Sequence, residues 1–152
     1  MHSKLSVNFK NTSNNSNPEY TKEGDSGFDL RAYLAGPVKL LPMMRAVIPT
    51  GLFFEIPKHF EIQIRSRSGL AAKNGVMVLN SPGTVDQNYI GEIKVILINL
   101  GEEPFVINNG DRIAQAIIAG VFSKTEINLS NVNNINENTS RGSDGFGSSG
   151  LK

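Results

Sequence analysis

The chain has 152 residues, a hydrophobic share of 39% and a formal net charge of +1. That length suits one domain of the usual roughly 100–200 residues, and so even a charge balance offers little attraction to a long polyanion, which argues against a nucleic-acid coat or general duplex binder. With no cysteine and only His2 and His59, disulfide frameworks, thiolate zinc sites, cysteine nucleophiles and His-rich metal centres are excluded as well.

Met1-His2-Ser3-Lys4 leads into no apolar signal core. The most apolar stretch, Ile113 to Phe122, is far shorter than the roughly 20 residues of a membrane span. The expectation is a cytoplasmic protein with no membrane or nucleic-acid partner. Leu5, Val7 and Phe9 alternate with polar residues, as a half-buried strand does. Residues 11–17, all Asn, Ser or Thr, form a polar loop expected to be mobile. Short strands are predicted over Phe28–Leu34, Val38–Leu41, Arg45–Ile48 and Leu52–Ile56, punctuated by Gly36-Pro37, Pro49 and Pro57. Phe60, Ile62 and Ile64 alternate again. A single short helix follows, with Ser68 as its cap, Leu70-Ala71-Ala72-Lys73 as its body and Asn74-Gly75 as its stop.

Val76–Leu79 reads as a strand, and Asn80 to Gly91 as strand, hairpin, strand, with Asp86 and Tyr89 near the tip. Ile93, Val95 and Leu97 share one face and Ile96 and Ile98 the other, which predicts a strand buried on both. Phe105–Ile107, Ile113–Ile118 and Val121–Thr125 complete the set. So many short strands suggest an all-β antiparallel barrel or jelly roll. Asn128 to Asn138 is Asn-rich and predicts an extended surface linker, and Ser140 to Lys152 is rich in Gly and Ser. The organisation expected is a β domain over residues 1–138 and a C-terminal arm over 139–152.

Chemistry has few places to sit. The run Gly142 to Gly150 is glycine-rich but follows no strand and opens no helix, so it fails as a nucleotide P-loop. The helix start beside Arg65 and Arg67 is either an anion seat or a plain barrel cap. Arg65, Arg67, Arg112 and Arg141 each stand within two positions of a Gly or Ser. Guanidinium forks flanked by small donors suit phosphate oxygens, and four together point to a polyphosphate ligand. Asp86 is either a turn former or a base. Arg141 and Phe146, in an otherwise Gly/Ser segment, fit an arm that folds onto a ligand or an inert tail.

Five segments in order resemble the trimeric dUTPases: Ser26-Gly27-Phe28-Asp29-Leu30, Arg67-Ser68-Gly69-Leu70-Ala71, Gly83 to Glu92, Gly110-Asp111-Arg112-Ile113-Ala114-Gln115, and Arg141 to Gly150. The resemblance implies a jelly-roll β-barrel with one short helix, assembled as a homotrimer whose three sites each gather residues from three subunits. It implies hydrolysis of dUTP to dUMP and diphosphate with Mg²⁺ on the triphosphate, limiting uracil in DNA and supplying dUMP for thymidylate synthesis. Asp86 is then the base for water attacking the α-phosphorus. Asn80, Gly83, Thr84 and Val85 read uracil, and Tyr89 lies beneath the sugar. Arg67, Ser68, Gly69, Lys94 and Gln115 belong with the bound nucleotide. Arg141, Phe146, Gly147, Ser148 and Ser149 close over it, with Phe146 stacked on the base. No side chain ligates the metal directly, and Asp29 supports its water shell. Ser66 and Ile90 depart from the family's frequent Pro and Arg or Gln. The rival readings are a dCTP deaminase-like enzyme of the same fold, or a non-catalytic trimeric nucleotide-binding regulator.

Overall fold

Period-two segments become strands wherever one face can be buried. The computed structural model describes residues 4–145, in two compact units that divide after Val121. The first unit holds β1 (Asn8–Asn11), β2 (Phe28–Arg31), β3 (Val38–Leu40), β4 (Arg45–Pro49), β5 (Leu52–Glu55) and β6 (Phe60–Arg65). Helix α1 (Ser68–Asn74) follows, then β7 (Val76–Val78), β8 (Gly83–Val85), β9 (Lys94–Asn99), β10 (Phe105–Ile107) and β11 (Arg112–Gly120). Every pairing is antiparallel: β1 with β5, β10 with β3, the order β2-β11-β6-β8 in a four-stranded sheet, and β4-β9-β7 in a three-stranded one. This is the expected all-β, jelly-roll-like architecture with one short helix. Leu30, Leu40, Ile48, Ile62, Leu97 and Ile107 are buried between the sheets. No helix among the described residues is long and apolar enough to cross a membrane.

One irregularity positions chemistry. The register of β11 against β2 shifts between Arg112 and Ala114, and Ile113 and Ala114 are consecutively buried. In a regular strand neighbours face opposite sides. The extra residue, a β-bulge, therefore sends Arg112 to the outer face, where Gln115 also lies.

Several expectations are corrected. The cap of α1 is Arg67, with extended backbone (φ −89°, ψ 126°) and no side-chain cap bond. Ser68 is already inside the helix, so its hydroxyl cannot occupy the cap position. Gly75 ends α1 as expected, in the left-handed region at φ 67°. The strands flanking Asp86 do not form a hairpin with each other: β8 pairs with β6, whereas β9 pairs with β4 and β7. Gly83 is the first residue of β8. The first strand begins at Asn8 instead of Leu5. In the single chain β9 is fully buried on one face only, with Ile96 and Ile98 half-buried. Val121–Thr125 forms no strand. The Ser123 backbone N–H and hydroxyl both donate to Glu126 Oε2 at 3.0 Å, and Glu126 N–H returns to Ser123 O at 2.9 Å; such local bonds displace a ladder. In the polar 11–17 loop, Asn11 Oδ1 accepts from Ser13 N–H at 2.9 Å, and Asn15 Nδ2 reaches across to donate to Ala32 O at 2.9 Å.

Asn99 is wholly buried. Its amide donates to Leu40 O at 2.9 Å and Glu103 O at 2.8 Å, and its oxygen accepts from Gly101 N–H at 2.8 Å. Asn99→Ala leaves those backbone groups without partners and is expected to lower stability by about 2–3 kcal/mol, measured by urea denaturation.

Candidate functional site

The four-stranded sheet gathers one set of polar groups. Asp29 on β2 stands opposite Gln115 on β11, and Gln115 stands opposite Arg65 on β6. Asp29 Oδ1 meets Arg67 Nε at 3.1 Å and Asp29 Oδ2 meets Arg112 Nη1 at 3.3 Å. Arg67 Nη1 donates to Arg112 O at 3.0 Å, and Gln115 Nε2 donates to Ser66 O at 2.9 Å. Both ion pairs are partly open to solvent, so their value lies in orientation more than in stability. Two guanidinium groups on one carboxylate leave an excess of positive charge, and Arg67 keeps its Nη2 hydrogens for another acceptor.

Close backbone approach shapes one edge of this set. A Cβ on Gly27 would collide with Ala116 O and Ile117 Cγ1, so only glycine lets β2 enter against β11. A groove of about 200 Å³ opens here between Thr21, Asp25, Gly27, Asp29 and Gln115. Ser68 and Gly69, in the first turn of α1, are exposed.

A second set lies around β8. Gly83 is buried, with Asn80 Nδ2 3.3 Å from where its Cβ would be. Thr84 is exposed opposite Gln63, and Val85 packs against the core opposite Ile62. Asp86 is exposed, and its carbonyl accepts Tyr89 N–H at 3.0 Å, closing a turn. The Tyr89 hydroxyl donates to Glu92 O at 2.9 Å. Its ring covers Gly91 so closely that a side chain there would have to displace the ring.

The two sets adjoin where Gly83 faces Ile64, next to Arg65, but Asp86 and Arg67 stay apart. Asp86 follows Val85, which faces Ile62, while Arg67 lies two residues beyond Arg65, which is three residues further along β6. At about 3.3 Å per residue that is some 10 Å along the strand before either terminal step is added. Lys94 joins neither set: its ammonium lies 3.8 Å from Glu92 Oε2. In the second unit Arg141 is exposed and its Nε donates to Asp144 O at 3.1 Å. Phe146, Gly147, Ser148 and Ser149 lie outside the described residues. Among the described residues, no three Asp, Glu or His side chains converge as a metal cage. Sequence reasoning counted Arg112 among four arginines suited to phosphate and in the fourth motif, but not as a partner of Asp29, and named Ser66 only as a departure. Arg112 escapes because its direction depends on the bulge, and Ser66 because its partner, Val78 N–H, is remote in sequence.

The comparisons with known proteins agree with one another. The family described as dUTPase matches residues 13–150. The deoxyuridine 5'-triphosphate nucleotidohydrolase of Bdellovibrio bacteriovorus is 52% identical over 149 residues, 97% of each chain. That of Treponema denticola is 52% identical over 134 residues, 88% of this chain and 90% of the other. Among solved structures, the Staphylococcus bacteriophage 80alpha dUTPase with dUPNHPP is similar at a TM-score of 0.82 and 26% identity, over 97% of this chain and 100% of that one.

Proposed function

Because this chain belongs to the dUTPase family, we infer that it hydrolyses dUTP to dUMP and diphosphate. The observation that carries the mechanism is the separation of Asp86 from Arg67. The set on β2, β11 and the α1 start has the guanidinium groups for phosphate. The set around β8 has the turn for a base and the one exposed carboxylate for water. A single chain holds Asp86 and Arg67 some 10 Å or more apart along β6, which supports a site completed between copies.

The copies form a homotrimer in this reading. The outward face of the β4-β9-β7 sheet supports it. Val47 lies opposite Ile96, and Met77 opposite Ile98. Val47 and Leu79 are 58% and 43% exposed in the single chain. A cyclic assembly covers such a face on every copy while building each cleft from neighbours.

Within the cleft, Arg67, Ser68, Gly69 and Gln115 hold the α- and β-phosphates. Asp29 fixes Arg67 and Arg112 from behind. Asn80, Gly83, Thr84 and Val85 read uracil by backbone and amide groups, Tyr89 lies under the deoxyribose, and Lys94 stands at the rim. Asp86 takes a proton from water as the water oxygen bonds the α-phosphorus and the bond to the bridging oxygen of the leaving diphosphate breaks. Arg141, Phe146, Gly147, Ser148 and Ser149, in the arm of residues 139–152, grip the γ-phosphate and stack on the base, excluding water.

The residues also fit Mg²⁺. Asp29 gives both oxygens to guanidinium groups, and Asp86 is one exposed carboxylate. Such a sparse donor set would leave a hard cation to be held by triphosphate oxygens and water, and Asp29 would support it only through water. When bound, it neutralises phosphate charge.

Diphosphate release from dUTP, dCTP, dTTP, UTP and dUDP with Mg²⁺ tests the inference. Uracil offers acceptor, donor, acceptor, and cytosine replaces one acceptor with a donor. Mismatched buried groups should disfavour dCTP by roughly 10⁴-fold in kcat/KM. Ammonia from dCTP would mean a deaminase, and nucleotide binding without hydrolysis a regulator.

A further inference from the structure

We propose that Ser66 is a positioning residue that sets the register between the phosphate-binding turn and the strand leading to the uracil-reading turn. The roles of those two turns rest on the function inferred above. The tie itself rests on two bonds. Ser66 O accepts from Gln115 Nε2 at 2.9 Å, and Ser66 Oγ accepts from Val78 N–H at 2.9 Å.

The second bond joins two sheets. Ser66 follows β6 of the four-stranded sheet, and Val78 ends β7, an edge of the three-stranded sheet. Leu79 N–H points into its own sheet, to Ile96 O at 2.8 Å. Successive strand amides point to opposite sides, so Val78 N–H points away from β9 and has no ladder partner. Ser66 supplies one.

The chain then crosses from one sheet to the other between Val78 and Gly83, and Asn80 sits in that crossing. Its far end is pinned where Gly83 faces Ile64 on β6. Its near end is pinned by the Ser66 hydroxyl. Ser66 immediately precedes Arg67, so the residue that carries the phosphate contact and the strand that delivers Asn80 share one anchor. Removing the hydroxyl leaves β7 free to shift by the slack of one bond, which moves Asn80 and the backbone groups beside it more than Arg67. Arg67 retains its own bonds to Asp29 and Arg112. The effect should therefore fall on base recognition.

The test compares Ser66→Ala and Ser66→Thr in the full chain. Amide hydrogen exchange at Val78 and steady-state kinetics on dUTP and dCTP are the readouts. In Ser66→Ala, Val78 should exchange roughly fivefold faster and the dUTP-over-dCTP ratio of kcat/KM should fall by roughly the same factor, the size expected for one lost hydrogen bond. KM for dUTP should rise more than kcat falls. Ser66→Thr, which keeps an acceptor, should restore both readouts. Wild-type exchange at Val78 in Ser66→Ala would overturn the tie whatever the substrate is. Faster exchange with unchanged selectivity would reduce Ser66 to a structural contact and overturn the positioning role. A wild-type chain that hydrolyses neither nucleotide would refute the functional reading instead, with Val78 exchange still reporting on the tie.

Discussion

Asp86→Asn should lower dUTP turnover by about 10²–10⁴-fold, the range lost when a positioned proton acceptor is removed, while dUTP still binds. The substitution is close to isosteric and leaves the fold nothing to repair. The turn is closed by the backbone of Asp86, whose carbonyl accepts Tyr89 N–H, and no described hydrogen bond or ion pair uses the carboxylate. An amide keeps the shape and the oxygen that can orient water but cannot accept the proton at neutral pH. The loss should appear in kcat, measured by diphosphate release at saturating dUTP. Titration with a non-hydrolysable dUTP analogue should give an affinity near that of the wild type. Equal turnover would remove Asp86 from the reaction; lost binding would make it a recognition group.

Mixing two inactive chains should restore activity. Arg67→Ala removes a preorganised donor to phosphate, a change typically worth about 10²–10³ in rate, and Asp86→Asn removes the base. If each cleft takes Asp86 from one copy and Arg67 from another, some clefts in a mixed trimer contain both intact residues. With equal amounts and random assortment, half the base donors and half the arginine donors are intact, independently. About a quarter of the clefts should then work. Co-refolding the two variants and assaying the mixture, against each variant refolded alone, measures this. No recovery in verified mixed trimers would mean that each copy carries its own complete site. The prediction depends on register: Val85 faces Ile62 and Gln115 faces Arg65 along the same β6.

Much of the fold was legible because burial imposes a period. Ile62 and Ile64 are buried on β6 with Gln63 and Arg65 outside, as the alternation predicts, and the glycine stop of α1 behaves as read. Pairing partners were not legible. Nothing near Asp86 says that β8 joins β6 and β9 joins β4 and β7, because register depends on which faces are buried across the whole molecule. Val121 to Thr125 has strand-like residues, yet Glu126 and Ser123 satisfy each other locally. Five motifs pointed to the residue types of the site. Their grouping into two sets, with Asp86 and Arg67 apart, is a property of the sheet, and neither Arg112's outward turn nor Ser66's bond to Val78 follows from spacing.

The bulge at the start of β11 fixes the parity of that strand. From Ala114 onward, counting by twos sorts side chains correctly; before it, the count is off by one. A change of chemistry at Arg112 would weaken one ion pair with Asp29, whereas a change of count is more severe. Loss of Ile113 would leave Arg112 outward in strict alternation but take a wholly buried side chain from the core, whereas flattening the bulge with every residue kept would turn the guanidinium inward.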